Sequence, residues 1–136
     1  MPRVAIDTNV LISTVLDRDV EQQQKTEQLL LRAENGELVI ALPQFVIFEA
    51  IYVFRSFYKF PPYEITTMLR EAISLPGVTI VDGCPWPLFF EHWSNLRPDV
   101  IDAAVLALAI ANRYDLATFD RDLAKRAKTF GVTSYW

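Results

Sequence analysis

The stretch "DVIDAAVLALAIANRYDLATFDRDL", residues 99–123, changes its periodicity twice. From Asp99 to Arg113, two acids three residues apart introduce apolar residues at helical spacing, which predicts a helix. Leu116 to Phe119 is a short apolar run and predicts a strand. Asp120 ends that run, and the pattern through Thr129 is helical again. A helix, a strand and a second helix, with an acid where the strand stops, is the grammar of an α/β domain.

The same grammar recurs at the other end of the chain. In "RVAIDTNVLIS", residues 3–13, the run Val4 to Ile6 stops at Asp7, followed by Thr8 and Asn9, and the apolar pattern resumes over Val10 to Leu16. Further strands are expected at Leu38–Ala41, Val78–Val81 and Val132–Tyr135. Each of these runs is apolar on successive residues rather than alternating, as suits parallel strands buried on both faces. Helices are expected at Gln22–Ala33, Gln44–Phe57, Tyr63–Ser74 and Pro87–Trp93. Asn35-Gly36, Pro61-Pro62, Pro76-Gly77 and Gly131 punctuate the pattern. This order predicts a parallel sheet of four to five strands with helices on both faces.

A chain of 136 residues is one ordinary domain, so a single domain over residues 1–136 is expected. Just over half of it is hydrophobic and the net charge is −4, which excludes a disordered chain and a strongly basic nucleic-acid grip. The single cysteine, Cys84, forms no internal disulfide, and there is no basic-then-apolar leader. Both observations point to the cytoplasm. No apolar run reaches bilayer length, so no membrane association is expected.

In open parallel sheets ligands bind beyond the carboxyl ends of the strands. Asp7 and Asp120 stand there, and Asp99 and Asp102 open the helix that leads into the fourth strand. Each has a plain structural reading, because Asp7, Asp99 and Asp120 sit where helices begin and Asp102 resembles the second acid of a capping box. Glu49 is different. It lies inside "FVIFEAIYVF", where apolar neighbours cover every side of the helix, and burying an unpaired carboxylate is costly. Arg55 or Arg97 would satisfy it as an ion pair; otherwise it faces a metal or a substrate. Carboxylates brought together from distant segments repel unless a cation lies between them. An oxygen-only set without a His or Cys cluster suits Mg²⁺ or Mn²⁺, and the expected chemistry is phosphodiester hydrolysis.

With "AIDTNVLIS", a mid-chain helical Glu49 and "DVIDAAVLALAIANRYDLATFDRDL" together, the chain resembles the PIN-domain family along its whole length. The likeness is strongest to VapC toxins, the ribonuclease halves of toxin–antitoxin pairs. The resemblance implies a three-layer α/β/α, Rossmann-like fold and a metal-binding cluster made of Asp7, Glu49, Asp102 and Asp120. It also implies endonucleolytic cleavage of RNA to a 5′-phosphate and a 3′-hydroxyl without a covalent enzyme intermediate. Thr8, Asn9 and Thr118 are then candidates for holding carboxylates, water or phosphate, with turn and strand-end chemistry as the plain alternative. The three-residue spacing leaves open whether Asp99 or Asp102 touches the metal; the family pattern favours Asp102. Asp122 reads as a surface or supporting acid. His92, without a paired nucleophile, reads as packed or surface rather than as a general base.

Arg121, Lys125, Arg126 and Lys128 follow Asp120 and are candidates to track an RNA backbone, although a solvated helix face is the commoner meaning of such a run. Trp86, Trp93 or Tyr135 could stack on unpaired bases. The helix from Phe45 to Phe57, with Tyr58, Phe60 and Tyr63, is apolar around too much of its circumference for one core. It is the expected homodimer surface, and the resemblance implies a VapB-like antitoxin in nearby apolar grooves. Other classes fit less well. A response-regulator domain would show an adjacent acid pair and a lysine after the last strand, and a dehalogenase-type phosphatase would show a second Asp near Asp7. A catalytically silent RNA- or protein-binding module is the remaining alternative.

Overall fold

The computed structural model describes residues 1–96 and 99–136. Its elements, in chain order, begin with β1 (Arg3–Ile6), α1 (Thr8–Ser13), α2 (Val20–Glu34), β2 (Val39–Pro43), α3 (Gln44–Ser56) and α4 (Pro62–Ile73). They continue with β3 (Val78–Val81), α5 (Trp86–Leu96), α6 (Val100–Asn112), β4 (Asp115–Ala117) and α7 (Arg121–Thr129). The four strands form one parallel sheet in the order β3-β2-β1-β4. The chain therefore builds outward from β1 to β2 and β3, then returns to β1's other side with β4. That reversal sets the crevice between the carboxyl ends of β1 and β4, where α/β sheets of this kind bind ligands.

Parallel strands need long crossovers, and the helices that supply them cover both faces of the central strands. Val4, Ala5 and Ile6 are buried at successive positions, as are Ile40, Ala41 and Leu42, so neither face of β1 or β2 meets solvent. Helix α6 packs against β1, α3, α5 and α7. Its alanines allow that closeness, with Ala103, Ala107 and Ala109 fully buried. Gly77 shows another tight approach: it takes a left-handed conformation (φ +81°), and a Cβ there would lie 2.8 Å from Ala33 Cβ.

Two strand expectations need correction. Val78–Val81 is a strand but is not buried on both faces: it is the sheet's edge, and Thr79 and Ile80 are exposed. Val132–Tyr135 contributes no fifth strand, only a parallel bridge of Ser134 with Leu116. The chain pairs there through Leu116 N–H to the Thr133 carbonyl and Tyr135 N–H to the Leu116 carbonyl. Ser134 then donates its hydroxyl to the Trp136 carbonyl, a local turn that competes with further pairing. The short opening helix begins at Thr8 rather than Val10, because Asp7 caps it, and it ends at Ser13. No described helix is long and apolar enough to cross a membrane.

Candidate functional site

Strand β1 delivers Asp7 to the crevice, and the pairing of Ile6 with Ala117 puts Thr118 beside it. Asp7 is buried. Its Oδ1 accepts from the Val10 N–H at 3.1 Å, capping α1, and its other oxygen accepts a short hydrogen bond from the Thr118 hydroxyl. Thr118 Oγ1 in turn accepts from the Asp120 N–H at 3.0 Å, while the Thr118 carbonyl accepts from Trp136 Nε1 at 2.9 Å. Thr118 thus ties both strand-end acids and Trp136 into one network.

Asp120 caps α7, taking the N–H groups of Asp122 and Leu123 at 2.9 and 3.1 Å. Asp99 caps α6 through the N–H groups of Ile101 and Asp102 at 2.9 and 3.4 Å. The capping readings of Asp7, Asp99 and Asp120 are therefore correct. They do not exclude chemistry, because each cap uses one carboxylate oxygen. Among the described residues, Asp102 makes no return bond to the Asp99 N–H, so the capping box is only half formed.

The acids feel one another. Burial, then the charges of Asp7, Asp99, Asp120 and Glu49, push the pKa of Asp102 up to about 7. Burial raises the pKa of Asp7 too, with Asp120 adding to the rise and the bonds from Thr118 and Val10 offsetting part of it. Glu49, half-buried on α3, is raised by burial and by Asp99 and Asp7. The Thr8 hydroxyl lies near enough to Glu49 to offset some of that rise, yet Thr8 Oγ1 is buried without a hydrogen bond of acceptable geometry. Asp102 thus senses the charges of four other acids, which come from the ends of β1 and β4, from α3 and from the cap of α6.

Among the described residues, no basic side chain pairs with these acids. The ion pairs among the described residues are Lys25–Glu21 and Arg32–Glu37, neither of which involves these acids. Arg55 therefore does not pair with Glu49, and Arg97 lies outside the described residues. Among the described residues no three Asp, Glu, His or Cys side chains are already close enough to enclose a metal ion.

Other expected residues fall elsewhere. The Asn9 side chain turns away from the acids, its Oδ1 and carbonyl accepting from Arg18 at 3.3 and 3.0 Å, while its backbone N–H is among the groups that offset the rise of the Asp7 pKa. Asp122 is exposed on the first turn of α7. His92 is buried, with its ring edge-on to Phe130 at 4.4 Å. Arg121, Lys125 and Lys128 are exposed, whereas Arg126 is half-buried. Trp86 and Trp93 pack with Phe89 on α5, and Trp86 and Phe89 line an apolar groove with Phe45 and Phe48. Tyr135 is engaged by Arg32, which donates to its hydroxyl at 2.9 Å. Sequence reasoning missed Arg18 and Trp136. Both act through partners distant in sequence, and neither stands in a pattern that marks it.

A fold with acids at the switch point of a small parallel sheet can be compared with known families. The PIN domain family matches residues 4–129. The chain belongs to that family. No curated protein sequence matches it significantly. Among solved structures, this PIN domain is similar to PAE2754 from Pyrobaculum aerophilum, with 15% identity, a TM-score of 0.69 and coverage of 98% of this chain and 83% of the other. It is also similar to VapBC2 from Rickettsia felis bound to a DNA fragment from their promoter, with 20% identity, a TM-score of 0.70 and coverage of 97% and 96%. A domain of a functionally unknown protein from Methanocaldococcus jannaschii aligns at 19% identity and a TM-score of 0.61, covering all of this chain and 91% of the other. These likenesses establish the PIN-like α/β fold.

Proposed function

We propose that this PIN domain is a metal-dependent endoribonuclease of the VapC toxin kind, using Mg²⁺ or Mn²⁺. The observation that supports the reading is that Asp102 feels the charges of Asp7, Asp99, Asp120 and Glu49, none of which forms an ion pair among the described residues. The pKa of about 7 for Asp102 reflects burial first and then repulsion by its acidic neighbours, and a divalent cation would favour the charged form against both. The donor set fits a hard ion, since every candidate ligand is a carboxylate oxygen. The buried Thr8 hydroxyl, without a hydrogen bond among the described residues, adds one oxygen near Glu49 that could hold a phosphate or the carboxylate itself.

Asp7, Glu49, Asp102 and Asp120 would hold the ion, with Asp99 a supporting residue. When bound, the ion would lower the pKa of a water and offset charge on the phosphate. The protein's own groups do the rest. The Val10 N–H and the Thr118 hydroxyl fix the Asp7 carboxylate in one orientation. Thr118 couples that orientation to the backbone that carries Asp120. Asp102, Asp7 and Glu49 all hold their protons more tightly than ordinary carboxyls, so protons must leave before the set carries its full charge.

The natural partners in this reading are single-stranded RNA, a second copy of the chain and a VapB-like antitoxin, all in the cytoplasm. Exposed Phe48, Ile51 and Tyr52 on α3, with Phe57 and Tyr63 nearby, support the homodimer. The apolar groove of about 390 Å³ bounded by Phe45, Phe48, Trp86 and Phe89 supports a peptide partner.

The deciding experiment incubates purified protein with structured and single-stranded RNA in Mg²⁺, in Mn²⁺ and in EDTA, beside Asp102→Asn. Cleavage that requires metal and is lost in the variant is the expected result. No cleavage by folded protein free of a copurifying inhibitor would leave a silent RNA- or protein-binding module.

A further inference from the structure

A polar groove of about 330 Å³ opens from the acid cluster, sharing Thr118 and Asp120 with it and running to the first turns of α2. Its volume is at the lower end for small-ligand sites. One wall is aromatic and held firmly. Trp136 stacks on Phe119 at 5.4 Å with an interplanar angle of 9°, and the indole N–H is fixed to the Thr118 carbonyl. The opposite side carries the acceptors Asp19 and Glu21 together with Gln22, and Arg121 stands at the α7 side.

These features select a ligand. A fixed aromatic wall favours a planar ring. On the α2 side two carboxylates, Asp19 and Glu21, outnumber one cation, Lys25, which already lies against Glu21, so that side favours N–H donors over a second phosphate. Asp19 commits Oδ1 to capping α2 through the Gln22 N–H, and Glu21 meets Lys25 at 3.6 Å in an exposed and hence weak pair. Both therefore retain acceptor capacity. Arg121 makes no ion pair among the described residues and suits a backbone phosphate between groove and cluster.

We infer that this groove is a base-reading subsite: it receives the unpaired nucleobase next to the scissile phosphate, stacked against Trp136 and with its amino edge toward Asp19 and Glu21. The inference rests on the ribonuclease reading and adds a specificity to it. Adenine, guanine and cytosine carry an exocyclic amino group and uracil does not, so uridine-only strands bind worst. Trp136 and Glu21 are thereby substrate-contacting residues outside the acid cluster.

Two separate measurements test it. In EDTA, fluorescence anisotropy compares short labelled RNAs that are all-uridine or carry one adenosine, guanosine or cytidine. Wild type is expected to favour the amino-bearing strands about tenfold or more, in line with the usual strength of base stacking and edge recognition. Trp136→Ala should weaken binding by a similar factor, while Trp136→Phe, which keeps a ring but loses the bond to Thr118, retains most of it. Glu21→Gln, an exposed change that leaves the fold alone, should flatten the preference among bases. Unchanged affinity in Trp136→Ala and unchanged preference in Glu21→Gln would overturn the subsite. Competition by free mononucleotides as strong as by the strands would also overturn it, since the groove would then be a nucleotide pocket rather than part of an RNA track. Cleavage in Mg²⁺ is scored independently: a wild type that cleaves RNA while both variants bind normally loses the subsite and keeps the nuclease, and one that binds with the stated preference but never cleaves does the reverse.

Discussion

Two grooves of similar size, about 330 and 390 Å³, lie on this molecule and share almost no chemistry. The first adjoins the strand-end acids and is lined by Asp19, Glu21, Lys25, Asp120 and Arg121 around the Trp136 wall. The second is walled by Phe45, Phe48, Trp86, Phe89 and Ile101. Apolar lining gains free energy by excluding water and cares little about charge, whereas a polar lining is useful only when a ligand answers its donors and acceptors. The difference separates two tasks. Under the proposed function, chemistry belongs at the carboxyl ends of β1 and β4, and association with another protein belongs on the α3–α5 flank.

The largest effect should come from the acids. Asp102→Asn keeps the shape and removes the charge that the other four acids face. RNA cleavage, followed on labelled substrate at saturating Mg²⁺, is expected to fall at least about 100-fold, beyond the cost of removing a group that only supports a metal ligand. Self-association measured by sedimentation should not change. If Asp102→Asn altered the oligomeric state, the division between the two regions would be wrong.

The converse change is Phe48→Asp, at a side chain 64% exposed on the apolar flank. Placing a charge there is expected to weaken association with a second copy about tenfold or more, as loss of an aromatic anchor does. The fold should survive, because Phe48 is not part of the core. A monomer–dimer equilibrium unaffected by this change would remove α3 from the interface.

The contrast also explains what could be read in advance. Strand ends were legible because an apolar run followed by an acid and a helical pattern has few other meanings, and Asp7 and Asp120 are where that reading put them. The competing cap interpretation was legible as well, and it is compatible with the other: Asp7 caps α1 with one oxygen and meets Thr118 with the second. Spacing alone could not separate Asp99 from Asp102, since both lie on one helical face, and the two N–H groups that Asp99 caps do not separate them either, because Asp120 caps two in the same way. The edge position of β3 was hidden for a related reason. "VTIV" has the composition of a central strand, and only the order β3-β2-β1-β4 exposes its outer side. Trp136 and Arg18 escaped notice because their value lies in contacts with Thr118 and Asn9, which no local pattern encodes.

An intermediate effect is expected at Thr118. Thr118→Val keeps the volume but deprives Asp7 of its hydroxyl donor and the Asp120 N–H of its acceptor. Leaving such groups unsatisfied in a buried setting costs about 1–3 kcal/mol, so thermal unfolding should shift down by several degrees. Cleavage should fall about tenfold, as for other groups that orient a metal ligand. Full activity in this variant would mean that Asp7 is positioned by the backbone alone.

The smallest and most discriminating effect is the pH dependence of stability. The carboxyl of Asp102 titrates near 3.8 in the unfolded chain and near 7 in the folded one. Between these values the folded, metal-free protein holds a proton that the unfolded chain has released, so stability is greatest below about 3.8 as far as this group is concerned and declines as pH rises toward about 7. Asp7 and Glu49 are shifted in the same direction and add to the decline. Because Asp102 is partly exposed, its share is about 1–2 kcal/mol after solvent screening. Thermal unfolding in EDTA at pH 5 and pH 8 should therefore show a slope that Asp102→Asn reduces, with the variant more stable than wild type at the higher pH. Mg²⁺ binds the charged form, so its stabilisation of wild type should be larger at pH 8 than at pH 5 and largely absent in the variant. Tyr63→Ala supplies the control from the other region: it removes exposed apolar surface without adding a charge, and the slope should remain that of wild type. A slope unchanged by Asp102→Asn, or Mg²⁺ stabilisation independent of pH, would detach the acid cluster from metal binding and leave the apolar flank as the better-supported functional surface.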